Sequence, residues 1–360
     1  MFLFGIGKCW FGFIVGEKSL PIEHPIITVI ALVLLYVYVI IRSDTHRFVT
    51  RTYEIKSPKL KEDMTLCFLS DLHEHDYDYG KHNDSLVKAI KDAHPDLILS
   101  GGDLLTSHKN PKSARPAEAV SLLQKLRHVA PIYLINGNHE IKIRERSSYG
   151  NMYQEYANQV KETGARLLQD ESVRLSFQDV SSDISAADKK NNASDSNNSV
   201  SEPFALYGLE TGLIYYTHGK DRRDMSTSDL NEKLGKAPEG LFTILLTHDP
   251  HPFEEYAQWG ADLTLAGHMH GGVADIGVGV ISPRYKLFPF YDGGLFIKTN
   301  ANQKVIRQHA PGVVYLENGS RAMVLGRGLG THTIHVRFHN PGELVVVKLY
   351  ADNNRNVEQL

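Results

Sequence analysis

Cysteine is nearly absent from this 360-residue chain: Cys9 and Cys67 are the only two, one in an apolar N-terminal stretch and one in a candidate core strand. Two isolated thiols give no basis for a disulfide framework, and reduced thiols are expected. An excess of charge of one sign is missing as well. With 39 basic against 42 acidic residues the formal charge is −3, which gives no electrostatic case for a long polyanionic partner, so no nucleic acid is expected. No internal repeat is visible, and the length suits one large catalytic domain that needs no covalent staple.

The chain does contain one long apolar run. From Pro25 to Ile41 it reads PIITVIALVLLYVYVII, uncharged throughout and closed by Arg42. At about 1.5 Å per residue such a helix just reaches across a bilayer core. No small-x-small cleavage site follows, so residues 25–42 read as an uncleaved single-pass anchor in the lipid bilayer rather than a signal-peptide core. Residues 1–24 hold a second apolar stretch, Phe2 to Gly16, broken by Lys8. That composition suits an interfacial segment better than a full span, with a short helical hairpin as the alternative. Arg42, Arg47 and Arg51 follow the anchor, whereas Lys8 and Lys18 precede it beside Glu17 and Glu23, a balance that favours a cytoplasmic catalytic domain.

Beyond the anchor, short β-branched or leucine-rich runs at 65–70, 96–101, 132–137, 243–248 and 262–268 alternate with helical spacing near Asn83 to Ala93, Pro116 to His128 and Met152 to Glu162. Strands alternating with helices predict an α/β sheet with crossover helices. Residues 178–203 collapse to Ser, Asn, Asp, Ala and Lys, the composition of a disordered insertion within the domain. Thr331 to Phe338 and Glu343 to Tyr350 look like two late strands joined at Asn340, Pro341 and Gly342. The domain is thus expected over 52–350, followed by a tail at 351–360.

The 18 histidines are the odd entry in the composition, because histidine is the commonest metal ligand among side chains. Position separates the ordinary ones from the rest. Each predicted strand ends in a polar cluster: Asp71-Leu72-His73, Gly102-Asp103, Gly137-Asn138-His139-Glu140, Thr247-His248 and Gly267-His268-Met269-His270. Any one alone reads as a turn or a surface loop. Together, at five successive strand ends where open α/β sheets bind ligands, they supply carboxylate, amide and imidazole donors enough for two cations. With no thiolate among the donors, the set suits manganese, iron or zinc rather than a structural zinc site.

The pattern D-x-H, G-D, G-N-H, H and G-H-x-H, met in that order from Asp71 to His270, resembles the calcineurin-like metallophosphoesterase family. The resemblance implies a four-layer α/β/β/α fold and two divalent metal ions, one held by Asp71, His73, Asp103 and His270 and the other by Asp103, Asn138, His248 and His268. A metal pair about 3.5–4 Å apart can acidify a water towards neutral pH. His139 matches the family's catalytic histidine. Many relatives orient that histidine with an acidic residue three positions after the bridging Asp; here that position is Thr106, and Glu140 is the candidate substitute. Arg327-Gly328-Leu329-Gly330 and Asn340-Pro341-Gly342-Glu343 resemble a membrane-anchored branch that includes the UDP-2,3-diacylglucosamine hydrolase type. Arg327 and His75 are candidate substrate contacts, a structural salt bridge being the other reading of Arg327.

The expected function is hydrolysis of a phosphodiester, pyrophosphate or phosphomonoester bond in a phosphate-ester substrate that the anchor places at the membrane or makes lipid-linked. Two rivals stand beside it. A nuclease or nucleotide phosphodiesterase of the same fold would need basic or aromatic residues lining the cleft, and a non-catalytic metal-binding membrane scaffold would have no use for His139. Oligomeric state has no signature in the sequence.

Overall fold

In a computed structural model, which describes residues 25–73, 79–176, 204–216, 223–277, 279–282, 287–300, 304–309, 312–317, 319–331 and 335–352, the apolar run forms one helix, α1 (Pro25–Thr45). The N-terminal segment 1–24, the insertion 178–203, His75 and residues 353–360 of the tail lie outside the described residues. The 21 residues of α1 rise about 31 Å, the thickness of a bilayer's hydrocarbon core. Most of its large apolar side chains from Ile26 to Val39 are exposed. By length and composition α1 can cross a membrane, a test that a signal sequence also passes.

The last residues of α1 are part of the folded body. Asp44 and Thr45 are buried, Asp44 pairs with Arg47 at 2.7 Å, and Thr45 Oγ1 accepts the backbone N–H of Arg337 at 3.0 Å. Strand β1 (Phe48–Ser57) follows at once. It runs parallel to β16 (Gly342–Ala351) from the Phe48–Gly342 pair to the Ser57–Ala351 pair. Strand pairing thus begins at Phe48, four residues before the expected start of the domain at 52.

Two seven-stranded sheets make the body. The first has the order β14 (Val313–Tyr315), β1, β16, β2 (Met64–Leu69), β3 (Leu97–Ser100), β4 (Ile132–Leu134), β5 (Arg166–Leu167). The second runs β13 (Val305–Gln308), β12 (Gly294–Lys298), β15 (Arg321–Leu325), β9 (Leu263–Ala266), β8 (Thr243–Leu246), β7 (Phe204–Gly208), β6 (Glu171–Leu175). Side chains alternate between faces along each strand. Leu66, Phe68, Leu97 and Leu99 thus join Ile244, Leu246, Leu263 and Leu265 in one core between the sheets. Cys67, Leu69 and Ile98 point the other way, under α2 (Tyr79–Asp92), α3 (Pro116–Leu126) and α5 (Met152–Glu162). Ala205, Tyr207 and Leu245 meet α6 (Thr227–Leu234) and α7 (Phe253–Trp259) on the far side. This is the expected α/β/β/α arrangement, and each buried Leu or Phe stabilises it by roughly 1.5–3 kcal/mol.

Of the two late strands expected between 331 and 350, the second forms, and the first is not seen among the described residues 335–338. Glu343 to Tyr350 lies within β16, between β1 and β2 in the first sheet, whereas in the preceding segment only Phe338, among the described residues, makes an isolated bridge, to Ala274. Arg337 is the cause. It is 2% exposed, and its guanidinium donates to the carbonyls of His270 at 3.2 Å, Arg327 at 3.0 Å, Gly328 at 3.1 Å and Asn340 at 3.1 Å. A buried planar fork satisfied by carbonyls from separate loops holds this stretch as a clasp instead of a strand.

Candidate metal centre

Within the first sheet β2, β3 and β4 are mutually parallel, as β7, β8 and β9 are in the second. Their carboxyl ends therefore open on one crevice, and the five polar clusters follow directly. Backbone bonds carry the order past the strands: Asp71 N–H donates to Gly102 O at 3.0 Å and His73 N–H to Asp103 O at 3.1 Å. Gly102, at φ 87, lies against the next loop so closely that a Cβ would sit 2.3 Å from Gly137 N. The loops after β3 and β4 could not approach with a side chain there.

Asp71, His73, Asp103, His248 and His270 are all buried. Five of the expected ligands have left-handed backbone: Asp71 (φ 52), His73 (φ 49), Asp103 (φ 52), His268 (φ 75) and His270 (φ 54). Such conformations cost about 1–3 kcal/mol each and cluster at functional sites.

Asp103 is the hub. Its Oδ1 accepts the N–H of His139 at 2.8 Å, while Oδ2 has His248 Nε2 at 3.1 Å, His73 Nε2 at 3.8 Å and His139 Nε2 at 4.0 Å. Burial pushes this carboxyl up, but the charged His248 beside it holds it well below the usual range. Asp71 lies 3.4 Å from His270 Nε2 and 3.9 Å from His248 Nε2. Burial, reinforced by the charge of Asp103, raises Asp71 to about 6. His73 and His270 face each other nitrogen to nitrogen, Nε2 to Nε2 at 3.0 Å.

His248 tests whether these residues suit a cation. Its Nδ1 donates to Gly101 O at 2.7 Å, which turns Nε2 into the cleft, buried and without hydrogen-bond geometry to any partner. Burial opposes a charge on this ring, yet Asp103 and Asp71 outweigh it and raise its pKa to about 10. The site thus demands positive charge at a point ringed by imidazole nitrogens and carboxylate oxygens, which is what a divalent ion supplies. Three groups of side chains bring their ligand atoms within 4.8 Å of one another: Asp71, His73 and His270; His73, Asp103 and His139; Asp103, His248 and His268. Burial and the nearby His248 lower His268 to about 3, so its ring stays neutral. Asn138 reaches the same place, one side-chain amide atom lying 3.0 Å from His268 Nδ1. The hydrogen bonds favour nitrogen there, with the amide oxygen accepting from His139 N–H and Lys142.

Glu140 does not serve as the orienting partner suggested for His139. Its carboxylate accepts the backbone N–H groups of Asp103 at 3.0 Å, Leu105 at 2.8 Å and Gly137 at 2.9 Å, so it ties the β3 loop to the start of α4 (Asn138–Glu145). Burial and the charge of Asp103 push Glu140 up to about 8. The His139 ring is held by Ser107, whose N–H donates to Nδ1 at 2.8 Å. An Nδ1 that accepts is unprotonated, so the ring is neutral with its proton on Nε2, facing the cleft. Thr106, at the position where an acid was sought, instead contacts His73 Nδ1 at 3.2 Å. Arg327 is engaged below the histidine loop, with Asn340 Oδ1 at 3.3 Å and Glu343 at 3.7 Å. Sequence reasoning missed Ser107, the Arg337 clasp and Tyr216, whose ring packs edge-on to His268 at 4.9 Å. Only the nearness of Ser107 to the Gly-Asp motif offered any hint.

The model of the calcineurin-like phosphoesterase family matches residues 64–272, more than half of the chain and the span that supplies every residue of this crevice. The chain belongs to the calcineurin-like phosphoesterase family. Among its relatives, the uncharacterized metallophosphoesterase Cj0846 of Campylobacter jejuni is 25% identical over 264 residues, 71% of this chain and 58% of that protein. The uncharacterized metallophosphoesterase YkuE of Bacillus subtilis is 24% identical over 314 residues, 86% of this chain and 88% of its own. A putative 5'-nucleotidase of Staphylococcus aureus, solved with alpha-ketoglutarate, overlaps 82% of this chain and 55% of its own at 12% identity. Its TM-score of 0.38 is too low to bear on substrate.

Proposed function

We propose that this phosphoesterase uses two divalent ions to hydrolyse a phosphodiester, pyrophosphate or phosphomonoester bond in a membrane-associated or lipid-linked substrate. Asp71, His73, Asp103 and His270 would hold one ion, and Asp103, Asn138, His248 and His268 the other. When bound, the ions acidify a water and neutralise phosphoryl charge. The reading rests above all on the convergence of four imidazole nitrogens, of His73, His139, His248 and His270, on the carboxylates of Asp103 and Asp71.

The side chains divide the remaining work. His139, neutral and with its Nε2 proton facing the cleft, donates a hydrogen bond to a phosphoryl oxygen or to the departing group. Ser107 keeps that tautomer in place. Glu140 fixes the backbone on which Asp103 and His139 sit. The membrane part of the reading draws on α1, read as a single-pass anchor with a cytoplasmic catalytic domain.

The test is turnover by the purified full-length chain, stripped with a chelator and reloaded with manganese, iron or zinc. Its panel holds bis(4-nitrophenyl) phosphate, a nucleotide-diphospho-lipid, a cyclic nucleotide and simple phosphate esters. Hydrolysis that vanishes on stripping and returns on reloading is expected, with two ions per chain by mass spectrometry of metals. Turnover indifferent to the chelator, or one ion at full activity, overturns the two-metal reading.

A further inference from the structure

The small hairpin that follows the histidine loop carries an exposed apolar surface for which hydrolysis has no use. Strands β10 (Ala274–Asp275) and β11 (Val280–Ile281) pair antiparallel. Ile276 sits at the turn between them, and the Leu287–Phe290 stretch returns to β11: Leu287 bridges Ile281 and Phe288 N–H donates to Val280 O at 2.9 Å. Ile276, Leu287, Phe288 and Phe290 are 47%, 63%, 50% and 54% exposed. Contiguous apolar surface left in water marks an interaction site. Phe288 also has left-handed backbone, φ 55, a conformation a bulky residue rarely adopts.

What lies beside this surface identifies its partner. Phe338 N–H donates to Val273 O at 3.0 Å and Asp275 N–H to Phe338 O at 2.9 Å, so the hairpin is stitched to Phe338. The next residue, His339, meets Tyr36 of α1, Nε2 to Oη at 2.9 Å. Tyr36 is six residues before Arg42, about 9 Å back along the helix. The domain therefore reaches up the flank of the apolar helix instead of hanging below its end. Tyr36 and Tyr38 are both exposed there.

We propose that Ile276, Leu287, Phe288 and Phe290 form a second lipid contact, a lip that enters the headgroup region of the leaflet from which α1 emerges. The lip follows the histidine loop in the chain, beginning six residues after His270. The substrate class it implies is a phosphate ester on a lipid headgroup. The contact rests on α1 being a membrane span, and the substrate class rests in addition on the hydrolytic reading above.

Depth and activity test the two halves separately. The full-length chain, with Trp10→Phe to lower the background, is placed in vesicles of phosphatidylcholine and phosphatidylglycerol with brominated acyl chains. Phe288→Trp is compared with Tyr315→Trp, which lies opposite Lys56, some eight residues along β1 from the anchor, or about 26 Å. Quenching at position 288 is expected to exceed that at 315 by about threefold or more. Equal quenching while the chain floats with the vesicles overturns the lip, and failure to float overturns it together with the anchor. For activity, Leu287→Asp with Phe288→Asp should lower turnover of long-chain phosphatidic acid in vesicles about tenfold while bis(4-nitrophenyl) phosphate stays within about twofold. Equal loss on both probes, or loss on neither, overturns the headgroup substrate. If the unaltered chain hydrolyses neither probe, the hydrolytic reading and the headgroup substrate fall together, and the quenching measurement alone decides the lip.

Discussion

Between the two sheets, Leu66, Phe68, Leu99, Ile244 and Leu265 are buried in regular extended strands, and their side chains have no polar atom to satisfy. A few residues further along three of these strands, Asp71, Asp103 and His270 are just as buried, yet their backbone is left-handed and their polar atoms are turned on one another. The two regions lie end to end and obey opposite rules. The core gives stability, roughly 1.5–3 kcal/mol for each large side chain; the crevice consumes part of it, about 1–3 kcal/mol for each left-handed residue. A fold that tolerates so much strain and buried charge at one end needs the second region for something other than folding.

If that division is right, substitutions at the two ends separate activity from stability. The largest effect is expected from Asp103→Asn, which removes charge shared by both proposed ion sites: turnover of bis(4-nitrophenyl) phosphate should fall by more than about a hundredfold. Metal content should drop with it, and the melting temperature of the ion-free chain should fall modestly, because His248 loses the carboxylate that holds its proton. A variant that melts far lower would show that Asp103 belongs to the scaffold. Phe68→Ala is the converse. Phe68 packs beneath Gly101 and is 1% exposed, so truncation should cost about 3–5 kcal/mol in denaturant unfolding. Metal stoichiometry at saturation should not change. Loss of metal at equal stability would erase the boundary between the two regions.

The core was the legible half. Alternation along TLCFL and LTLA marks one face for each residue, and β2 and β9 form where the pattern predicts. The ends of those strands were legible as well, since Gly, Asp, Asn and His interrupt the apolar period abruptly. What local pattern could not carry was pairing across the chain. Ser107 looks like any loop serine until the fold brings its N–H to His139. Arg337 lies in HVRFH, whose alternation imitates a strand, and only the carbonyls of distant loops reveal it as a clasp. β1 was not among the runs that stood out, because Thr50, Arg51 and Thr52 interrupt its apolar residues, and only its pairing with β16 reveals it.

The smallest effect is a matter of degree, and it concerns protons. In the ion-free crevice His248, at about 10, carries a proton throughout the neutral range. A cation must displace it, so affinity should rise about tenfold per pH unit above roughly pH 8. Glu140, raised to about 8 by burial and by Asp103, binds a second proton as pH falls and releases it once a cation neutralises Asp103. Asp71, raised by burial to about 6, adds a competing proton below that point. The sign is the same for all three: each group's proton excludes the cation and is held more firmly as pH drops, so the plot of log affinity against pH should steepen towards acid. Titrations with manganese from pH 5 to 9 read the slope directly, and calorimetry in buffers of different ionisation enthalpy counts the protons. A slope near zero across the range would mean that the charges crowded around Asp103 are balanced by something other than a metal.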